Sequence, residues 1–256
     1  MLKIDRQNKI QEQLNSNGSV LISELSQQLS CSEETIRRDL KEMEQNHKLI
    51  RIHGGAYLPE KCTKGVPLQL RQIYFVKEKT LMSKHIIDSY IEENDFLLLD
   101  SSSTCLTLAQ ELILANINVT IVTNSLKICS LCNEASSNIK VICLGGTLVT
   151  RNSSFVGYRT TEALQSFVAD KSFISCPSVD INYGLVDNNV NEGMVRSCML
   201  KQSRKNFLIV DHTKFSETTN SIFADLNSID VIVTDKKLSS DWEDKCSSLN
   251  IKLDYI

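Results

Sequence analysis

Over the first 45 positions the apolar residues recur at helical spacing. Ile4, Ile10 and Leu14 stand at near-helical intervals among polar residues, and Asn17-Gly18 ends the run. Leu21, Ile22, Leu25 and Leu29 make a second short stripe, entered through Ser19 and Val20. After a tight connection at Ser30-Cys31, Ile36, Leu40 and Met43 fall at i, i+4 and i+7, so a third helix buries one face. Ser32 supplies a capping hydroxyl, and Glu33 and Glu34 sit in the first turn, where the helix dipole favours acids. The period then changes. Ile50 and Ile52 alternate with Arg51 and His53, and Gly54-Gly55 turns the chain before Ala56 and Tyr57, which predicts a two-stranded wing. Helix, short turn, helix and wing is the layout of a winged helix-turn-helix.

From Pro59 to Pro67 there is no periodicity, and the stretch reads as a linker. The expected organisation is a small domain over 1–58, a linker over 59–67 and a larger domain over 68–256. Residues 77–91 read as a helix, and short apolar strands then alternate with helices. The strands are 96–99, 119–122, 141–144, 173–176, 207–210 and 231–233; the helices are 106–114, one after Ser125, 160–167 and 191–202. Wholly apolar strands alternating with helices predict an α/β domain with a mainly parallel sheet covered on both faces.

Thr35, Arg37, Arg38 and Lys41 fall off the apolar stripe of the third helix. Guanidinium forks bond guanine edges or phosphates, and a threonine can bond a phosphate or touch a thymine methyl, so this face suits a DNA major groove. A merely solvated charged face would carry the same residue types. Arg51 and His53 on the wing can reach a phosphate or the minor groove; a plain turn residue is the other reading of His53. The candidate DNA contacts are Ser32, Thr35, Arg37, Arg38, Lys41, Arg51 and His53.

In parallel sheets, ligands sit outside the carboxyl ends of the strands. Those ends carry Asp100-Ser101-Ser102-Ser103-Thr104, Thr123-Asn124-Ser125, Gly145-Gly146 and Asp211 to Phe215. The serine run opens a helix and offers hydroxyls and free backbone N–H groups, where a phosphate binds, although a plain N-cap has the same look. With Gly145-Gly146 and Lys214 at other strand ends, a sugar-phosphate pocket is expected.

Composition is that of an ordinary globular protein of 256 residues, 41% hydrophobic and 23% charged. The net charge is −3, and within residues 1–60 eight basic residues meet nine acidic ones, so a DNA-binding surface must be a local patch. The nine cysteines are scattered and odd in number, the opening Met-Leu-Lys-Ile-Asp does not read as a signal peptide, and no run reaches the ~18 apolar residues of a membrane helix. These features predict a reduced, cytoplasmic protein without membrane attachment. Cys129 and Cys132 form a CxxC with no second pair or histidine at zinc spacing; core packing is expected of them, and neither metal nor cofactor.

The ordered set Arg6-x3-Ile10, Ser32-x2-Thr35-Ile36-Arg37-Arg38-Asp39-Leu40 and Arg51-x-His53-Gly54-Gly55-Ala56 resembles the winged helix of the DeoR family of bacterial transcription regulators. The strand-end motifs, with Asp170-Lys171, Asn191-Glu192 and Asp211-x2-Lys214-Phe215, resemble that family's effector domain, which is similar in fold to ribose-phosphate isomerases. The resemblance runs from about residue 6 to about residue 235. It implies that Thr35, Arg37 and Arg38 face DNA, and that Asp39 positions an arginine or closes the helix packing. It implies an effector site of Asp100, Ser101, Ser102, Ser103, Thr104, Thr123, Asn124, Gly145, Gly146, Glu192 and Lys214. In it Ser102, Ser103 and Thr104 hold a phosphate, and Asp100, Glu192 and Lys214 face sugar hydroxyls. Ser102 stands where the family usually has glycine. The implied function is a repressor of a sugar-metabolism operon, binding double-stranded operator DNA and a phosphorylated sugar as a dimer or tetramer, with no catalytic residues. The alternative is a sugar-phosphate isomerase-like enzyme with an appended DNA-binding domain, using Glu192, Asp187 or Asp100 as general base near Lys214.

Overall fold

The first helix, α1 (Lys3–Asn17), stops where Gly18 turns left-handed at φ 76° and donates its N–H to the Leu14 carbonyl at 2.8 Å. The structure is a computed structural model that describes residues 1–46, 49–52, 54–58, 68–135, 138–215 and 221–256. The chain divides into two units, Met1–Tyr74 and Phe75–Ile256.

In the first unit α1 is followed by β1 (Ser19–Leu21), α2 (Ile22–Gln28), α3 (Glu33–Gln45), β2 (Ile50–Ile52) and β3 (Gly55–Tyr57). Ser32 caps α3 as expected, accepting from the Thr35 N–H at 3.3 Å. Ile10, Leu14, Leu25, Ile36 and Leu40 are fully buried together. Asp39, on the same buried face, is 2% exposed and paired with Arg6, whose Nη2 donates to Oδ1 at 3.1 Å. That pair ties α1 to α3 and accounts for an arginine early in the motif. The wing differs from the expected two strands. Its sheet has three, in the antiparallel order β1-β3-β2, because Ser19–Leu21 pairs with Tyr57–Gly55. Gly55 is required there, since a Cβ would stand 2.2 Å from the Val20 carbonyl oxygen and 2.5 Å from Leu70. Leu70 belongs to α4 (Leu68–Gln72), which lies in the first unit although the sequence places residue 68 at the start of the larger domain. The expected linker, 59–67, lies outside the described residues.

The second unit contains α5 (Val76–Tyr90), β4 (Phe96–Leu99), α6 (Ser103–Ala115), β5 (Thr120–Thr123), α7 (Leu126–Glu134) and β6 (Lys140–Cys143). A hairpin of β7 (Thr147–Val149) and β8 (Ser154–Val156) follows, then α8 (Tyr158–Leu164) and β9 (Ala169–Ile174). The chain continues through β10 (Ser178–Asp180), β11 (Gly184–Asp187), α9 (Val190–Lys201), β12 (Ser203–Ile209), β13 (Ser221–Ala224), β14 (Val231–Thr234), α10 (Ser240–Ser248) and β15 (Lys252–Tyr255). Seven strands form one parallel sheet in the order β15-β14-β12-β9-β4-β5-β6. Side chains alternate between two cores, with Leu97, Leu99, Phe173 and Phe207 packed on one side and Leu98, Ile174 and Leu208 on the other. Burial on both faces is why these strands are apolar throughout. The chain starts the sheet in the middle at β4, runs to one edge at β6, and returns to β9 on the other side of β4. The switch between β4 and β9 opens a crevice at their carboxyl ends, the place where such sheets bind ligands.

Candidate functional site

Two faces hold the candidate residues. On α3, Arg37, Arg38 and Lys41 are exposed and Thr35 is half-buried. The Ser32 and Thr35 hydroxyls are hydrogen-bonded to each other at 2.9 Å. Arg37 Nη2 pairs with Glu33 at 2.6 Å, whereas Arg38 and Lys41 make no ion pair with a described residue. Arg51 on β2 is anchored to α3, its Nε and its N–H each donating to the Glu44 carboxylate at 2.9 Å. Helix and wing are thereby joined by a basic residue that remains about one-third exposed. His53 lies outside the described residues.

The second face is the crevice between β4 and β9. Asp100 follows β4 and is 1% exposed. Its Oδ1 accepts from the Ser102 N–H at 2.9 Å; its Oδ2 accepts from the Ser175 N–H at 3.2 Å and from Arg196 Nε at 2.7 Å. Arg196 on α9 also donates to Asp187. Burial alone pushes the Asp100 carboxyl up, but the Arg196 charge and the Ser102 hydrogen bond outweigh it and hold it below the usual carboxylate range. Asp100 therefore orders the serine loop and neutralises Arg196, which differs from the sugar-facing role expected of it. Glu192, also on α9 and 2% exposed, accepts from Ser101 Oγ at 3.1 Å, from Asn152 Nδ2 at 3.1 Å and from Ser154. It too is held by the protein, so its part in a ligand site is shared with Ser101, Asn152 and Ser154.

The uncommitted donors lie at the start of α6. Ser102 is spent as the N-cap, its hydroxyl accepting from the Cys105 N–H at 3.0 Å. The next two residues, Ser103 and Thr104, have hydroxyls without a hydrogen bond to a described residue, and their N–H groups sit where a helix has no acceptor of its own. The start of α6 thus holds the kind of donors that an anion takes. At β5, Thr123 is structural, its hydroxyl donating to the Leu99 carbonyl at 2.7 Å and accepting from the Ser125 N–H at 3.0 Å. Asn124 donates to the Phe155 carbonyl at 2.9 Å, yet its Oδ1 is buried without a partner among the described residues. A buried amide oxygen left unpaired is costly and suits a ligand hydroxyl. Gly145 has φ 64° and open space above it, and its carbonyl accepts from Thr160 Oγ1 at 2.8 Å. Gly146 has φ 119°, and a Cβ there would meet Thr160 Oγ1 at 2.1 Å, so this corner admits only glycine.

Lys214 ends the 3-10 turn His212–Lys214 after β12, is half-buried, and has no ion pair with a described residue. Burial pushes the Cys176 thiol up to about 12, opposed by the charges of Arg196 and Lys214. The structure therefore joins Asp100, Ser101, Ser102 and Glu192 by hydrogen bonds through Arg196's helix, and places Lys214 after β12, the strand that pairs with β9. Sequence reasoning missed Arg196, Asn152, Ser154 and Ser175. Among the described residues no group of His, Cys, Asp and Glu could hold a metal ion, and the eight described cysteines are free thiols. No described helix is long and apolar enough to cross a membrane.

Comparison with known proteins follows the same division. Residues 6–62 match the DeoR-like helix-turn-helix domain, and residues 75–236 match the DeoR C terminal sensor domain. The chain is 35% identical over 239 residues to the HTH-type transcriptional regulator YulB of Bacillus subtilis, covering 93% of this chain and 91% of that one. It is 31% identical over 238 residues to the L-fucose operon activator of Escherichia coli, covering 92% of this chain and 96% of the other. The lactose phosphotransferase system repressor of Staphylococcus epidermidis is 30% identical over 237 residues, covering 92% of this chain and 93% of its own length.

Proposed function

The chain belongs to the DeoR family of helix-turn-helix transcriptional regulators, and from that premise we propose that it represses a sugar-metabolism operon and answers to a phosphorylated sugar. The observation that carries the effector reading is the set of uncommitted donors at the buried start of α6. Ser103 and Thr104, at the switch point of the sheet, have hydroxyls without a hydrogen bond to a described residue, and Lys214, after the strand β12 that pairs with β9, has no ion pair with a described residue. Phosphate oxygens take such donors, and the orphaned Asn124 Oδ1 takes a sugar hydroxyl. Relatives named for fucose and lactose systems support a sugar, and one of them is an activator, so the sign of regulation is part of the proposal. The chain is read as a non-enzyme. Asp100 and Asp187 share the Arg196 guanidinium, and Glu192 is held by three side chains, so each carboxylate weighed as a general base is already engaged. One winged helix makes few contacts, so a dimer or tetramer reading repeated half-sites in the cytoplasm completes the reading.

Fluorescence anisotropy on DNA from the protein's own promoter, at fixed salt, tests it with a panel of pentose and hexose phosphates. Release of a specific complex by one compound is the expected result. Tightening would make the protein an activator or co-repressor type, and indifference to the whole panel would remove the effector. The DNA face makes its own forecast. The exposed Arg37–Glu33 pair contributes about 0–1 kcal/mol, so DNA can take Arg37 over. Arg37→Ala should weaken operator binding by about 1–3 kcal/mol, while Lys41→Ala should lower the salt slope by about 1 with little change in sequence preference. Wild-type affinity in Arg37→Ala would remove its base-reading role.

A further inference from the structure

The turn that carries Lys214 is tied to Asp235, just after β14, through His212. The His212 N–H donates to Asp235 Oδ1 at 2.6 Å, and His212 Nδ1 pairs with Asp235 Oδ2 at 2.7 Å. Lys236 Nζ donates to His212 Nε2 at 3.1 Å, which leaves the proton on Nδ1, directed at Asp235. Hydrogen bonds at both nitrogens set the orientation of the imidazole, and the ring of Phe75 meets it edge-on, with centroids 5.5 Å apart and planes at 67°. Phe75 is no ordinary helix cap. It is the first residue of the second unit, joined by its own peptide bond to Tyr74 of the first. It has φ 51° and ψ 42°, a left-handed conformation, and its carbonyl starts α5 by accepting from the Lys79 N–H at 3.0 Å. A phenylalanine rarely adopts that conformation, so its surroundings must hold it there.

We propose that the Phe75–His212 ring contact couples occupancy of the Lys214 site to the DNA-binding unit. The inference rests on the reading of Lys214 as an effector ligand. A phosphate that draws Lys214 moves the short turn on which His212 stands two residues earlier, and His212 is what Phe75 leans on. Gain or loss of that support shifts Phe75 between its left-handed conformation and an ordinary one, in the covalent junction between the units. A two-state element biased from both sides is what allosteric coupling requires. Phe75 and His212 are positioning residues in this scheme.

The test uses the full chain, promoter DNA and the sugar phosphate that the wild type binds most tightly in the panel. Effector affinity is measured by calorimetry with and without DNA, and operator affinity by anisotropy with and without effector. By linkage the two ratios are equal, and the wild-type coupling should fall between about 5-fold and 150-fold. In Phe75→Ala it should drop below about threefold, with effector affinity in the absence of DNA kept within about threefold. Phe75→Tyr keeps the ring and should retain the coupling. Phe75→Leu keeps apolar bulk without an aromatic edge and should lose it, and it decides the matter should the alanine variant fail to fold. Coupling of wild-type size in Phe75→Leu overturns the proposal while the effector site stands. A wild type that binds none of the sugar phosphates overturns the site reading, and this inference with it.

Discussion

Arg196→Ala should cost the second unit at least about 3 kcal/mol, because removing one partner of a buried ion pair costs about 3–5 kcal/mol and Arg196 here serves two carboxylates. Asp100 is 1% exposed, Asp187 4% and Arg196 5%, so water cannot replace the lost guanidinium. Trp242, the one tryptophan of the chain, lies on α10 against Phe215 in the same unit, so its fluorescence reports the relevant unfolding transition. The pH dependence should also change sign. In the wild type the Asp100 carboxyl is held below its unfolded value, so its contribution is complete above about pH 4 and is lost as pH falls through the folded value. The urea midpoint should then stay level from about pH 7 to 5 as far as this group is concerned. Without Arg196, burial leads, the carboxyls shift upward, and the folded state binds more protons than the unfolded chain. The variant should gain stability as the pH is lowered from about 7 to 5. A loss under about 1 kcal/mol, or an unchanged pH profile, would show that the crevice does not depend on this cation.

Arg196 also marks where the sequence stopped being legible. Strands such as Phe96–Leu99 were readable because burial on both faces demands an unbroken apolar run, and α3 was readable because cap, dipole and stripe agree. The three-residue strands β7, β8 and β10 were not, since each is too short to show a period and is defined by a partner elsewhere. β1 hides for the same reason, its partner β3 lying more than thirty residues on. In α9 the clue was present and unused. Glu192 and Arg196 stand four apart, and with Met199 they occupy the buried stripe, where charges do not belong unless they are partnered. The serine run could be read as a helix N-terminus with hydroxyls, but the division of labour within it could not. Which serine caps, which one bonds Glu192 and which remain open depends on α9 and on the hairpin β7–β8, which no local pattern reveals.

Lys214→Ala should remove the effector response at concentrations that just saturate the wild type, while leaving operator affinity without effector unchanged. The side chain makes no ion pair with a described residue and is half-buried, so its removal should leave the urea midpoint close to where it was. Its charge instead has an unfilled role. Around the crevice Asp100, Asp187 and Glu192 are all acidic, and Arg196 is consumed by the first two. A phosphate entering there meets a negative field unless Lys214 offsets it, with the free N–H groups of α6 supplying the rest. A hydrogen bond to a charged group contributes about 1.5–3 kcal/mol, so the effector should bind about 10-fold to 150-fold more weakly. Lys214→Arg, which keeps the charge on a broader donor, should fall between the two. The same titration separates this residue from Phe75, whose loss should spare binding and remove only the response. Lys214→Ala with wild-type effector affinity would leave the acidic crevice without a cation for the phosphate, and the ligand would then have to be an uncharged sugar.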